Sequence, residues 1–187
     1  MKIVLASKSP RRKEILSLVC GDFDIRVSDA DESYGNDVSL TDVPRILSER
    51  KALAVSMAED EIIIGCDTVV LIDNKLLGKP RDRNDAINML KMMSGREHYV
   101  VSGLTVRSAD KVVSEAVTSA VRMRELNLRE IEKYVDEWHP LDKAGAYGIQ
   151  EMAGSFVSRI EGDFYNIVGL PLCRLVEILN KEFDIYL

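Results

Sequence analysis

"EIIIGCDTVVLI", residues 61–72, is apolar almost from end to end and rich in Ile and Val. β-branched side chains of this kind favour extended chain. The run does not alternate apolar with polar residues, so both faces of the strand it predicts are covered, as in the middle of an α/β sheet. Asp67 is then out of place. An ionised carboxylate inside such a run costs several kcal/mol unless it is paired, metal-bound or strongly hydrogen-bonded. A structural ion pair is one explanation. The other is a carboxylate at the end or a break of the strand, opposite a phosphate site, that serves as a metal ligand or as a base activating water. Gly65, two residues earlier, permits close approach of backbone or ligand.

On the N-terminal side, residues 3–6 read as a strand and 10–19 as a helix, with Ser9 at the N-cap and Pro10 as first helical residue. A short alternating strand over 23–27 and a polar loop over 28–39 follow. Asp42 or Thr41 then caps a helix to about Met57. On the C-terminal side Gly78-Lys79-Pro80 closes the central strand's exit, and Asp82 or Asn84 starts a helix that ends at Gly95. The β-patterned runs 98–107 and 111–124 suggest an antiparallel hairpin, and Asn127 with Glu130 forms a capping box. Strands over 156–160 and 165–168 and a terminal helix over 171–183 complete a mixed α/β reading.

The 187 residues, 46% of them hydrophobic, can bury a substantial core and need form only one domain, 1–187. With 25 basic against 31 acidic residues the formal charge is −6, which offers no overall basic field to nucleic acid or an anionic membrane. Any anion site must be local. Cys20, Cys66 and Cys173 lack CxxC spacing and have only His98 and His139 to complement them, which disfavours a structural zinc site or a disulfide framework. The short apolar start is no signal peptide and no run is long enough to span a membrane, so the expected location is cytoplasmic.

Three further stretches are locally costly or unusual. "SKSPRRKE", residues 7–14, places Arg11, Arg12 and Lys13 at a helix start, where the dipole is already positive. These are either solvated residues of a capped helix or, with Ser7 and the free backbone N–H groups, the parts of a phosphate site whose anion turns the conflict into joint attraction. "LGKPRD", residues 77–82, is by itself a turn feeding a helix cap. "DKAGAYGIQ", residues 142–150, is either a tight loop or a segment whose small residues let backbone approach a flat ligand, with Gln150 offering an amide. The Walker A and dinucleotide-binding glycine patterns do not match.

Together "LASKSPRRKEIL" (5–16), "SERKA" (48–52), "GCDTVV" (65–70), "LGKPRD", "LDKAGAYGIQ" (141–150) and "EGDFYNIVGLPL" (161–172) resemble, in order and spacing, the Maf family of nucleoside triphosphate pyrophosphatases. The resemblance covers nearly the whole chain. It implies an elongated mixed β-sheet with flanking helices and a cleft between two lobes, related to the inosine-triphosphate pyrophosphatases. "AGAYGIQ" resembles the branch that hydrolyses dTTP and UTP. Matched residue by residue, Ser7, Arg11, Arg12, Lys51 and Lys79 fall on phosphate-binding positions, Glu32 on an acidic, metal-binding one, and Asp67 on the proton acceptor. Arg11, Thr68 and Gln150 fall on positions linked to substrate choice. One departure is His139 before Pro140, where relatives commonly carry glutamate.

The implied activity is hydrolysis of a pyrimidine nucleoside triphosphate at the α-phosphorus, with a divalent metal cofactor, Mg²⁺ or Mn²⁺, held by Glu32 and Asp67. Expected partners are the triphosphate and, as a candidate, a second copy of the chain, with no nucleic acid and no membrane. A contrasting class is a non-enzymatic cell-division regulator or nucleic-acid-binding protein. The acidic balance and the absence of an extended basic stripe weigh against nucleic acid, and the costly aspartate opposite a cationic loop weighs for catalysis.

Overall fold

In the computed structural model, which describes residues 1–27, 29–35 and 37–187, the apolar run is the strand Glu61–Ile72 near the middle of a mixed sheet. Ser28 and Asn36, both within the expected loop 28–39, lie outside the described residues. In chain order the elements are β1 (Lys2–Leu5), α1 (Pro10–Ser17), β2 (Asp24–Ile25), α2 (Val43–Ala54), β3 (Glu61–Ile72) and β4 (Lys75–Leu77). Next come α3 (Arg83–Met93), β5 (Glu97–Arg107), β6 (Val112–Met123), α4 (Leu128–Trp138), short 3-10 turns between Pro140 and Phe156, β7 (Val157–Glu161), α5 (Phe164–Val168) and α6 (Leu172–Phe183). The sheet runs β2-β1-β3-β5-β6-β7, with β4 added beside β3. β1 is parallel to β2 and β3, and the other pairings are antiparallel.

Because side chains alternate along a strand, β3 serves both faces. On one face Ile62, Ile64 and Cys66 join a core with Leu5, Leu16 and Leu175, whereas Val70 and Ile72 join a second core with Leu90, Met93, Tyr134 and Phe156. Thr68 falls at the seam, and Ile149 packs against both cores. The opposite face lies against α2, which approaches closely because Gly65 and Gly103 have no side chains. A Cβ on Gly65 would stand 2.4 Å from the Ser48 carbonyl oxygen, and one on Gly103 only 1.8 Å from that of Pro44.

One edge of β3 is interrupted. β1 pairs with it from Glu61 to Ile64 and β4 from Val70 to Ile72, while β5 lines the other edge from Ile63 to Leu71. Between β1 and β4, residues 65–69 have no strand beside them on that edge among the described residues. Asp67 and Thr68 sit in this gap: β3 itself runs unbroken through them, and it is the pairing along its edge that is interrupted.

Several local expectations need correction. The stretch 165–168 is part of α5, not a strand. Asp163 Oδ1 accepts the Tyr165 N–H at 2.8 Å and caps the turn, and buried Asn166 donates to Val100 O and Ser119 Oγ, so tertiary hydrogen bonds override the β-like composition. The expected strand 23–27 contracts to Asp24–Ile25 at the sheet edge. Ser9 occupies the N-cap of α1 but its side chain makes no capping bond, and Asp42, at the N-cap of α2, spends its carboxylate on Arg45 instead. β4 was not expected. It follows a two-residue turn in which Asp73 and Asn74 both take positive φ, 51° and 56°, the geometry that closes a tight hairpin. The long hairpin and the capping box of α4 match their sequence signals.

Candidate active site

Three segments converge on the gap in β3. The first is the loop that carries β1 into α1. Ser7 is buried, and its Oγ accepts the Ser9 N–H at 3.2 Å and an Arg12 Nη1 hydrogen at 3.2 Å. Arg12 also donates from Nε to Gly169 O at 2.8 Å and from Nη2 to Thr68 Oγ1 at 3.1 Å, so one guanidinium ties α1, β3 and the end of α5 together. Thr68 Oγ1 and Ser102 Oγ lie 2.8 Å apart and continue this polar path into the sheet. Arg11, its neighbour, points elsewhere and donates to Asp142 Oδ2 at 2.8 Å. The sequence treats the two arginines alike; the structure gives Arg12 a half-buried network and Arg11 a single solvent-facing ion pair.

The second segment is α2. Its Lys51 reaches across to the gap and donates to Asp67 Oδ1 at 2.5 Å, and the same Nζ stands 2.8 Å from Glu32 Oε1. Burial opposes the lysine's charge, but the Asp67 and Glu32 carboxylates outweigh it and raise its pKa. The hydrogen bond from Lys51 holds the Glu32 carboxyl below its ordinary range, with weaker attraction from Lys79 and Lys8. Lys79 lies exposed just beyond β4, near enough to act on Glu32. Lys8 does the same from the first loop and was not singled out by sequence.

The third segment is 140–150. Asp142 receives Arg11 on Oδ2 and Lys143 on Oδ1, each at 2.8 Å. Partial burial works against its charge, but those two hydrogen bonds prevail and hold the carboxyl down at about 2. The Gly145 N–H donates to Gly78 O at 3.0 Å, which seats the segment beside Lys79. Gln150 is exposed, directly after Ile149 at the seam of the two cores. Asp142, Lys143 and the Gly169 carbonyl belong to the arrangement but carry no sequence signal beyond their motifs. His139, the departing residue, caps α4 in the left-handed region, φ 44°, away from these contacts.

Asp67 and Thr68 are consecutive on a strand and so project to opposite faces. Through the open edge, one face offers a carboxylate with Lys51 and Glu32 and the other a hydroxyl with Arg12 and Ser7. A molecule lying over that edge can reach both. A separate cavity of about 340 Å³, lined by residues such as Leu40, Leu71, Asp73 and Tyr99, contains none of these side chains.

For a metal, Glu32 and Asp67 are two hard oxygen donors that already converge on one cation, the Lys51 ammonium. Among the described residues no group of three or more His, Cys, Asp and Glu side chains stands together. A donor pair of this kind suits Mg²⁺ or Mn²⁺, which take one or two carboxylates and complete their shell with phosphate oxygens and water.

The sequence model of the Maf-like protein family matches residues 2–182. The chain belongs to the Maf-like family. Among relatives of this Maf-like chain, the dTTP/UTP pyrophosphatase of Clostridium novyi (strain NT) is 44% identical over 185 residues, covering 96% of this chain and 97% of that protein. The dTTP/UTP pyrophosphatase of Thermoanaerobacter sp. (strain X514) is 45% identical and covers 100% of both chains. That of Bacillus cereus (strain G9842) is 44% identical, covering 98% and 96%. The solved structure of the Staphylococcus aureus Ham1 protein overlaps the Maf-like chain with a TM-score of 0.44 at 14% identity, over 66% of this chain and 72% of that one, too loosely to bear on function. No helix among the described residues is long and apolar enough to cross a membrane.

Proposed function

We propose that this Maf-like protein hydrolyses dTTP and UTP to the nucleoside monophosphate and pyrophosphate in the cytoplasm, at the gap in β3. The observation that carries the reading is Lys51 held between Asp67 and Glu32 at that open edge, in a chain whose full-length relatives are dTTP/UTP pyrophosphatases.

A nucleoside triphosphate brings about four negative charges, and Arg11, Arg12, Lys51 and Lys79, with Lys8 added by the structure, concentrate positive potential in an acidic protein. Arg12 has three of its donor groups committed to Ser7, Thr68 and Gly169, so it fixes the loop and offers phosphate only its remaining N–H groups. Lys51 and Arg11 are the mobile cations. Each is held by carboxylates in the free protein, and each exchanges that partner for phosphate oxygens when substrate enters.

With the ammonium of Lys51 turned to phosphate, Asp67 is released to accept a proton from water. The water oxygen attacks the α-phosphorus in line, the bond from that phosphorus to the bridging oxygen breaks, and pyrophosphate leaves with the electron pair. Glu32 and Asp67 are the residues that would hold a divalent metal, which when bound neutralises charge on the phosphates. Thr68, Arg11 and Gln150 select the base and sugar. Uracil and thymine present an N3–H donor between two carbonyl acceptors, and an oriented amide rejects cytosine, whose pattern differs.

Asp67→Asn tests the reading. It keeps the side chain's shape but removes its basicity, so pyrophosphate release from UTP should fall about 100-fold or more while the melting temperature changes little. Near-normal turnover by a folded Asp67→Asn variant would remove the carboxylate from the base role.

A further inference from the structure

The segment 143–150 is bent at a cost. Gly145 and Ala146 both adopt positive φ, 68° and 60°, and for the alanine this conformation is strained and persists only where its surroundings impose it. Three contacts impose it here. The Gly145 N–H reaches Gly78 O at 3.0 Å, and the Gly148 N–H reaches Tyr134 Oη at 3.3 Å. Tyr147 drops its side chain into the core, where Oη lies 2.8 Å from His98 Nε2 and the two rings meet edge-on at 87°.

The third contact is the unusual one. His98 is fully buried, and its other ring nitrogen, Nδ1, has no hydrogen-bond partner among the described residues. Burial lowers the His98 pKa to about 4 and raises that of Tyr147, so both side chains are neutral near pH 7 and one hydrogen lies between Oη and Nε2. Whichever tautomer the ring adopts, one buried polar nitrogen goes unpaired among the described residues, which costs stability. Two apolar rings would fill the same space without that cost. What they would not supply is a directional bond fixing where Tyr147 sits, and with it the three residues that follow up to Gln150.

We propose that His98 and Tyr147 are a buried positioning pair that orients the 145–150 segment toward the substrate's base, governing the choice between uracil and cytosine without contacting the phosphates. This rests on the dTTP/UTP reading above. His98 and Tyr147 are buried and bonded to each other, whereas Arg11 pairs with Asp142 and Lys51 with Asp67 and Glu32, so the pair touches neither of these cations assigned to phosphate.

The test compares wild type, Tyr147→Phe and the double variant His98→Phe/Tyr147→Phe by three readouts: melting temperature, kcat/KM for UTP and CTP, and competitive inhibition by inorganic tripolyphosphate. Tyr147→Phe should narrow the UTP/CTP ratio by about tenfold, through a higher KM for UTP, and leave tripolyphosphate inhibition unchanged. The double variant, which removes the two ring nitrogens that Tyr147→Phe leaves unpaired, should recover thermal stability without recovering the ratio. The proposal is overturned if the ratio is unchanged in either folded variant, if it returns in step with stability, or if tripolyphosphate binding is lost in parallel. A wild-type protein that cleaves CTP as well as UTP overturns the underlying reading instead, and the pair's role in selection with it.

Discussion

Arg11 and Arg12 stand side by side at the start of α1 and have different work. Arg12 is half-buried and bonded to Ser7, Thr68 and Gly169, so Arg12→Ala leaves acceptors unpaired in the seam between the two cores and should cost on the order of 2 kcal/mol. Arg11 makes one solvent-facing pair with Asp142, and Arg11→Ala should cost under about 1 kcal/mol. Urea denaturation of the two variants without nucleotide checks the difference. Equal losses would mean that the network around Arg12 is not what anchors α1. Both variants should lose UTP hydrolysis, Arg11 through direct contact and Arg12 through the loop it holds. At this scale the sequence was informative about types and blind to partners. Asp67 was conspicuous because a charge in an apolar run is costly unless something distant in the chain pairs with it. That Lys51 and Glu32 would meet it, or that a backbone carbonyl at Gly169 would receive Arg12, depends on contacts more than a hundred residues apart in the latter case and leaves no local trace.

The elements that place these residues were legible where burial and periodicity agree. β3, the long hairpin and the capping box of α4 each carry a pattern set by the element's own residues. The helix α5 does not, because its form is imposed by Asp163, Ser119 and the sheet behind it. Nor was the role of Gly103 legible, although it lies directly across from Asp67 in the β3–β5 register and α2 crosses over both. A methyl group there would meet the Pro44 carbonyl and the Arg45 nitrogen at 1.8 and 2.5 Å, so α2 must move away from the sheet. Gly103→Ala should destabilise the protein by about 2 to 3 kcal/mol or more and draw Lys51 back from Asp67. Activity measured well below the melting temperature should then fall by about tenfold or more, since small misplacements of charged groups are costly to catalysis. Unchanged kcat/KM in the folded variant would show that the position of α2 does not set the site.

Across the whole molecule, two cores lie end to end on one face of the sheet, and the interrupted edge of β3 at their seam is where charge of both signs gathers. The fold also carries a pH signature. His98 titrates at about 4 in place of its ordinary 6.5, so between those values the folded chain binds fewer protons than the unfolded one. Its contribution is complete above about pH 6.5 and is lost as pH falls toward 4, on the order of 3 kcal/mol in all. Melting temperatures of wild type and the His98→Phe/Tyr147→Phe variant over that interval check this, since the variant should lack this part of the decline. Parallel curves would mean that the buried imidazole does not titrate as its surroundings require. The central claim concerns which phosphorus is attacked, and hydrolysis of UTP in ¹⁸O-labelled water addresses it directly. Attack at the α-phosphorus places the label in UMP and leaves pyrophosphate unlabelled. Label in pyrophosphate, or in inorganic phosphate released with UDP, would contradict it.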